Sequence, residues 1–162
     1  MFSEKLCQAG LKIFGVDPWL YYEDYPHPRG QARLDEICEH ARRRLASYDC
    51  TIIRKTSMEA VKDFDNESID FVYIDGHHGF KYVAEDIWEW SKKVKKGGII
   101  SGHDYALNEH QQIRDPWVLH VKHVVEGYTR ALRLPYWWVI GADEHTPGAK
   151  RDMFRSWMWL NP

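Results

Sequence analysis

Residues 69–105 read IDFVYIDGHHGFKYVAEDIWEWSKKVKKGGIISGHDY, and the succession of patterns within them decides the fold class. The stretch opens on an apolar run, Ile69 to Ile74, that stops at Asp75-Gly76. A short run of β-branched and aromatic residues closed by glycine reads as a buried parallel strand. From Phe80 to Lys96 the apolar positions become Val83, Ile87, Trp90 and Val94, the spacing of one helical face. Acids come early on that helix (Glu85, Asp86) and lysines late (Lys92, Lys93, Lys95, Lys96), as the macrodipole favours. Gly97-Gly98 is expected to end the helix, and Ile99-Ile100 to begin a second buried strand running into Gly102-His103-Asp104. Such strand–helix–strand crossovers are right-handed in about 98% of cases. Asp75-Gly76-His77-His78 and His103-Asp104 then fall at the carboxyl ends of neighbouring parallel strands. That edge is where open α/β sheets place their ligands.

Asp-Gly-His-His after one strand, followed by a Gly-Gly strand ending in Gly-His-Asp-Tyr, resembles the class I S-adenosylmethionine-dependent methyltransferases. The resemblance is to the small-molecule branch called methyltransferase family 24. Two further stretches match it, IFGVDPW at residues 13–19 and the Trp-rich C-terminal segment, so it covers most of the chain. It implies an α/β fold: a Rossmann-like methyltransferase sheet, mostly parallel, with a C-terminal antiparallel hairpin, in a single domain over residues 1–162. It also implies S-adenosylmethionine as cofactor and a small-molecule acceptor bearing a hydroxyl or a sugar. The family places a first strand and a glycine-rich turn before the first helix, and no GxGxG occurs in this sequence. The expectation is therefore an N-terminally truncated form of that fold. Its absent strand would lie between the 11–16 and 69–74 strands, and a homo-oligomer is expected in which a second copy covers the exposed centre.

At 162 residues the chain is long enough for one domain with a real core. A hydrophobic fraction of 44%, with 14% aromatic residues, argues for a packed globular protein. A net charge of −2 gives no electrostatic reason to expect nucleic acid or an acidic membrane surface as partner. The three cysteines, Cys7, Cys38 and Cys50, lack CxxC spacing, so neither a disulfide framework nor a zinc ribbon is suggested. A reduced cytoplasmic compartment is the simplest reading. No apolar run approaches the ~20 residues that span a membrane, and the N-terminus lacks the order of a signal peptide.

Taken in order, Phe2 to Gly10 reads as a helix end capped by glycine, and Leu11 to Val16 as a strand stopped by Asp17-Pro18. An acid at the tip of an early strand suits a ribose, because its two oxygens can accept from both hydroxyls. The plainer reading of Asp17 is a turn with Pro18. Residues 18–30 form an aromatic loop that either covers a ligand or packs on the sheet edge. Gln31 to Tyr48 is a helix burying Leu34, Ile37, Cys38, Ala41 and Leu45. Cys50 to Arg54 is a strand, with Ser57 as N-cap of the helix that follows. The resemblance carries cofactor contacts onto Asp17, Ser57, Met58 and Asp75. Beyond the polar loop 106–114, Asp115 and Pro116 open a helix whose His120 and His123 read as surface or packing residues. Trp137 to Gly141 and Ser156 to Leu160 read as an antiparallel edge hairpin.

Methyl transfer from a sulfonium needs chiefly an acceptor held in line, with a base or a metal to lower the hydroxyl's pKa. Asp75, His103 and Asp104 are candidate ligands for a divalent metal. In metal-dependent relatives the corresponding acids hold magnesium. Magnesium prefers oxygen, and histidine shifts the preference towards transition metals. Without a metal, His78 or His103 is the candidate general base. Two other classes stay open: a catalytically inactive binding or structural module on the methyltransferase fold, and a metal-dependent hydrolase built on His77-His78 and His103-Asp104.

Overall fold

The computed structural model describes residues 2–22, 30–105, 118–141 and 154–162. The chain divides into two compact units, Met1–Asp63 and Phe64–Pro162.

In the first unit, α1 (Phe2–Gln8) ends as the sequence suggested. Gly10 takes a left-handed φ of +84°. Its N–H reaches Cys7 O at 2.9 Å, and Leu11 N–H reaches Leu6 O at 3.2 Å, which satisfies carbonyls that the helix end would orphan. Strands β1 (Ile13–Val16) and β2 (Cys50–Ile53) pair in parallel, Ile13 opposite Cys50 and Val16 opposite Ile53. Between them in sequence runs α2 (Gly30–Leu45), which buries Cys38, Ala41 and Leu45, three of the five positions read from its spacing. Leu34 and Ile37, the other two, are partly buried against the same cluster, where Trp19 is also packed.

The short helix α3 (Ser57–Ala60) corrects the assignment of its cap. Its N-cap is Thr56, and Ser57 is its first helical residue. The Thr56 hydroxyl oxygen accepts from Glu59 N–H at 3.3 Å, while the Glu59 carboxylate accepts from Thr56 N–H at 3.0 Å. Glu three residues after Thr completes a reciprocal capping box, whereas the residue three after Ser57 is Ala60. Thr56→Ala is expected to cost about 1 kcal/mol in urea unfolding, with Thr56→Ser close to neutral.

In the second unit, β3 (Ile69–Ile74), α4 (Phe80–Ser91) and β4 (Val94–Tyr105) form the expected crossover with parallel strands. They are followed by α5 (Val118–Ala131), β5 (Trp138–Ile140) and β6 (Arg155–Leu160). The sheet order is β3-β4-β6-β5, and β6 runs antiparallel to both neighbours, as the expected hairpin requires. One sheet face carries Ile100, Trp157 and Trp159, which pack with Val83 and Ile87 of α4 and Val125 of α5 into the core.

Helix α4 is shorter and β4 longer than the periodicity predicts. The helix stops at Ser91, and Val94, fully buried, already pairs with Ile69. The cause is tertiary. The Lys92 and Lys93 carbonyls accept N–H groups from Glu67, Ser68 and Ile69, so the strand entry supplies the donors a longer helix would have supplied. Gly97 and Gly98 therefore sit in a strand irregularity instead of a helix stop, between the Ile69–Val94 and Phe71–Ile99 pairs. Gly97 has φ +75°, and both glycines exchange backbone hydrogen bonds with Asn161. No helix among the described residues is long and apolar enough to cross a membrane. The expectations for residues 23–29, for the polar loop 106–114 and for Asp115 and Pro116 lie outside the described residues.

Candidate active site

At the carboxyl ends of β3 and β4, Asp75, His78 and Asp104 each offer a ligand atom, and these lie within 4.8 Å of one another. The backbone arranges this in two steps. Asp75 follows directly on β3, and the turn 76–79 returns His78 before α4 begins. On β4 the register with β6 slips: Gly102 faces Trp157, but Tyr105 faces Arg155. His103 and Asp104 together stand opposite the single residue Ser156, a bulge that re-aims side chains. Asp104 takes φ +60° there, a left-handed conformation that Asp and Asn tolerate better than most residues. Trp157 braces the bulge by donating its indole N–H to His103 O at 3.0 Å.

Adjacent strand residues normally point to opposite faces. Here His103 Nδ1 lies 3.2 Å from Asp104 Oδ1, and His78 Nε2 lies 2.7 Å from Asp104 Oδ2. Asp104 is only 8% exposed. Burial by itself would raise its carboxyl pKa, but hydrogen bonds from His103 and His78 outweigh burial and hold it well below the usual carboxylate range. Asp75 shifts the other way. Desolvation raises its pKa, and the negative charge of Asp104 adds to the rise. Of the two acids, Asp75 takes a proton first as the pH falls. The sequence grouped Asp75 and Asp104 with His103; the structure sets His78 in the tight triad and His103 behind Asp104, on its other oxygen. His77 turns aside: its Nδ1 accepts Gly79 N–H at 3.0 Å and its ring packs on Tyr82 with centroids 4.1 Å apart. His120 accepts Phe80 N–H at 3.2 Å, a packing role as expected, and His123 is exposed.

In the first unit, Asp17 extends the ladder by one bond, its N–H reaching Ile53 O at 3.2 Å. Its Oδ1 accepts Trp19 N–H at 2.7 Å, bridging Pro18. The turn reading is thus realised. Burial raises the Asp17 pKa, and the Trp19 hydrogen bond and the charge of Arg54 oppose the rise. Ser57 and Met58 are half-buried in the first turn of α3. Trp19 is 8% exposed, so this part of the aromatic loop packs as core.

The sequence profile of the family-24 methyltransferase domain matches residues 1–105. The chain belongs to this methyltransferase family. An uncharacterised protein of Sinorhizobium fredii, y4gI, is 32% identical over 116 residues, which are 64% of this chain and 12% of that protein. The chain thus spans a small part of the length of the curated relative it matches. Its fold is similar to that of the bifunctional kinase-methyltransferase WbdD, at TM-score 0.57 and 11% identity over 99% of this chain and 32% of that one. It is likewise similar to a protein assigned as an O-methyltransferase of Klebsiella pneumoniae, at TM-score 0.56 and 14% identity over 99% and 78% of the two chains. A protein assigned as a caffeoyl-CoA O-methyltransferase of Staphylococcus aureus gives TM-score 0.56 and 12% identity over 99% and 81%. These likenesses establish the Rossmann-like methyltransferase fold.

Methyltransferases of this family use S-adenosylmethionine, and in the first unit Asp17 stands at the carboxyl tip of β1. That carboxyl is partly desolvated and is oriented by Trp19 N–H. The donor set of the second unit, two carboxylates and one imidazole, has the chemistry of a divalent-metal site that favours a transition ion over magnesium. Sequence reasoning missed Gln31 and Arg54, which hold the backbone beside Asp17. The available signal was an arginine at a strand's carboxyl tip.

Proposed function

We propose that this chain is a methyltransferase acting on a hydroxyl of a small molecule, such as a sugar or a catechol, in the cytoplasm. The observation that supports this reading best is the Asp104 carboxylate held between two imidazoles, with Asp75 beside it, at the ligand edge of the sheet. Bound S-adenosylmethionine supplies a methyl group already activated on a sulfonium. Asp104 orients the imidazole of His78 and stabilises the charge it gains on taking a proton, as a carboxylate does for a catalytic histidine. That imidazole takes the proton of the acceptor hydroxyl, and the sulfonium would supply the methyl group that the hydroxyl oxygen gains. His103 holds the second oxygen of Asp104 and can serve the same role for an acceptor on its side. A divalent metal held by Asp75, His78 and Asp104 would polarise the hydroxyl. Incubating the protein with labelled S-adenosylmethionine and a panel of sugars and catechols tests the reading. Label transferred to a hydroxyl supports it, and no transfer to any member, with or without added manganese, overturns it.

Asp17 is the proposed ribose contact. Removing it deletes charge-assisted hydrogen bonds worth roughly 1.5–3 kcal/mol each. Asp17→Ala is therefore expected to weaken S-adenosylmethionine binding about tenfold or more by calorimetry. Asp17→Asn, which keeps an acceptor for Trp19 N–H, separates ribose binding from the turn. An unchanged dissociation constant in both variants refutes the contact.

A further inference from the structure

The turn that carries Asp17 is held far more firmly than a surface turn needs. Trp19 has φ +44°, a left-handed conformation rare for a bulky residue, and its side chain packs with Cys38 and Ala41 of α2. Two side chains fix the backbone around it, and a third holds those two. Arg54 donates through Nε to Pro18 O at 3.3 Å and through Nη2 to Trp19 O at 3.2 Å. Gln31 donates to Trp19 O at 2.8 Å and accepts Tyr21 N–H at 2.9 Å. Asp35 binds both holders, through a short bond from Arg54 and a 3.0 Å bond from Gln31. What these side chains fix is the peptide segment that sets where the Asp17 carboxylate points.

We propose that Arg54, seated by Asp35 and seconded by Gln31, is a positioning residue for ribose recognition by Asp17. This rests on the reading of Asp17 as the ribose contact. Arg54 grips two successive carbonyls of the turn, and the Trp19 N–H between them is the group that orients the Asp17 carboxylate. Losing the fork frees the Pro18 and Trp19 peptides to leave the strained conformation, and the carboxylate loses its fixed direction towards a pair of hydroxyls. A lysine restores the charge but not the planar fork that reaches two carbonyls and a carboxylate at once.

The test compares adenosine with 2′,3′-dideoxyadenosine, probes that differ only in the ribose hydroxyls, by ligand-observed NMR titration. The wild-type chain is expected to prefer adenosine about tenfold, the scale of one charge-assisted hydrogen bond. Arg54→Ala is expected to bring that preference to within about twofold while binding dideoxyadenosine as the wild type does, with Arg54→Lys in between. A merely structural role would weaken both nucleosides together and leave the ratio intact, and that outcome overturns the proposal. So does a ratio unchanged in Arg54→Ala when Asp17→Asn abolishes it. A wild-type chain that shows no preference, or binds neither nucleoside, instead removes the ribose reading of Asp17 on which the proposal stands.

Discussion

Asp104→Asn is expected to lower methyl transfer by about 10²–10⁴-fold, the contribution of a positioned acid–base group, while leaving the fold intact. The substitution isolates charge. Asparagine has the shape of aspartate and tolerates the φ of +60° that residue 104 adopts. What it lacks is the anion that both neighbouring imidazoles address, at 2.7 Å from His78 Nε2 and 3.2 Å from His103 Nδ1. An amide offers one oxygen and one NH₂, so one of the two imidazoles must meet a donor where it now meets a carboxylate oxygen. The oriented tautomer and the stabilisation of imidazolium are lost together. Turnover on any acceptor found in the panel, measured as label transferred per unit time at saturating S-adenosylmethionine, provides the comparison. A variant as fast as the wild type would remove Asp104 from the chemistry.

Gly102→Ala is expected to cost about 3 kcal/mol or more, at the upper end of what overpacking does in a rigid core. A Cβ at residue 102 would stand 2.5 Å from the carbonyl oxygen of Ile74 and closer still to the ring of Trp157. Neither can yield. The Ile74 carbonyl belongs to the neighbouring strand, and Trp157 is completely buried and stacked on Trp159 with ring centroids 4.9 Å apart. A loss of that size is a large part of the roughly 5–15 kcal/mol that stabilises a domain. It corresponds to a melting temperature lower by about 6–12 °C. Gly127 is the control: it lies within α5, and an added Cβ meets nothing within 4 Å. Gly127→Ala should be neutral or slightly stabilising, since alanine outranks glycine in a helix by about 1 kcal/mol. Calorimetric melts of the two variants should therefore shift in opposite directions.

The crossover was legible because its signals are local. The β3 boundaries follow from an apolar run closed by Asp75-Gly76, and the buried face of α2 follows from spacing alone. The end of α4 was not legible, because the carbonyls of Lys92 and Lys93 find partners in residues 67–69, which no helical period reveals. The cap at Thr56 was legible in principle, since Glu59 three residues on marks a capping box, but Ser57 next to it carries the same local preference. At the site, sequence order placed Asp75, His78, His103 and Asp104 at the right edge of the sheet. It could not say that a bulge opposite Ser156 brings His103 and Asp104 to one side, since strict alternation would separate them. Nor does spacing tell which histidine joins Asp75. That choice depends on the path of the 76–79 turn, and it selects His78.

The central claim is that this family member carries a working cofactor site, and calorimetric titration of the full chain with S-adenosylmethionine tests it most directly. The account predicts saturable binding of one cofactor per chain, with a dissociation constant within the roughly 1 μM–1 mM span usual for enzyme substrates. The Asp17→Ala chain should bind at least about tenfold more weakly under the same conditions. A wild-type chain that melts cooperatively yet gives no binding heat and no thermal shift at millimolar cofactor would contradict the account.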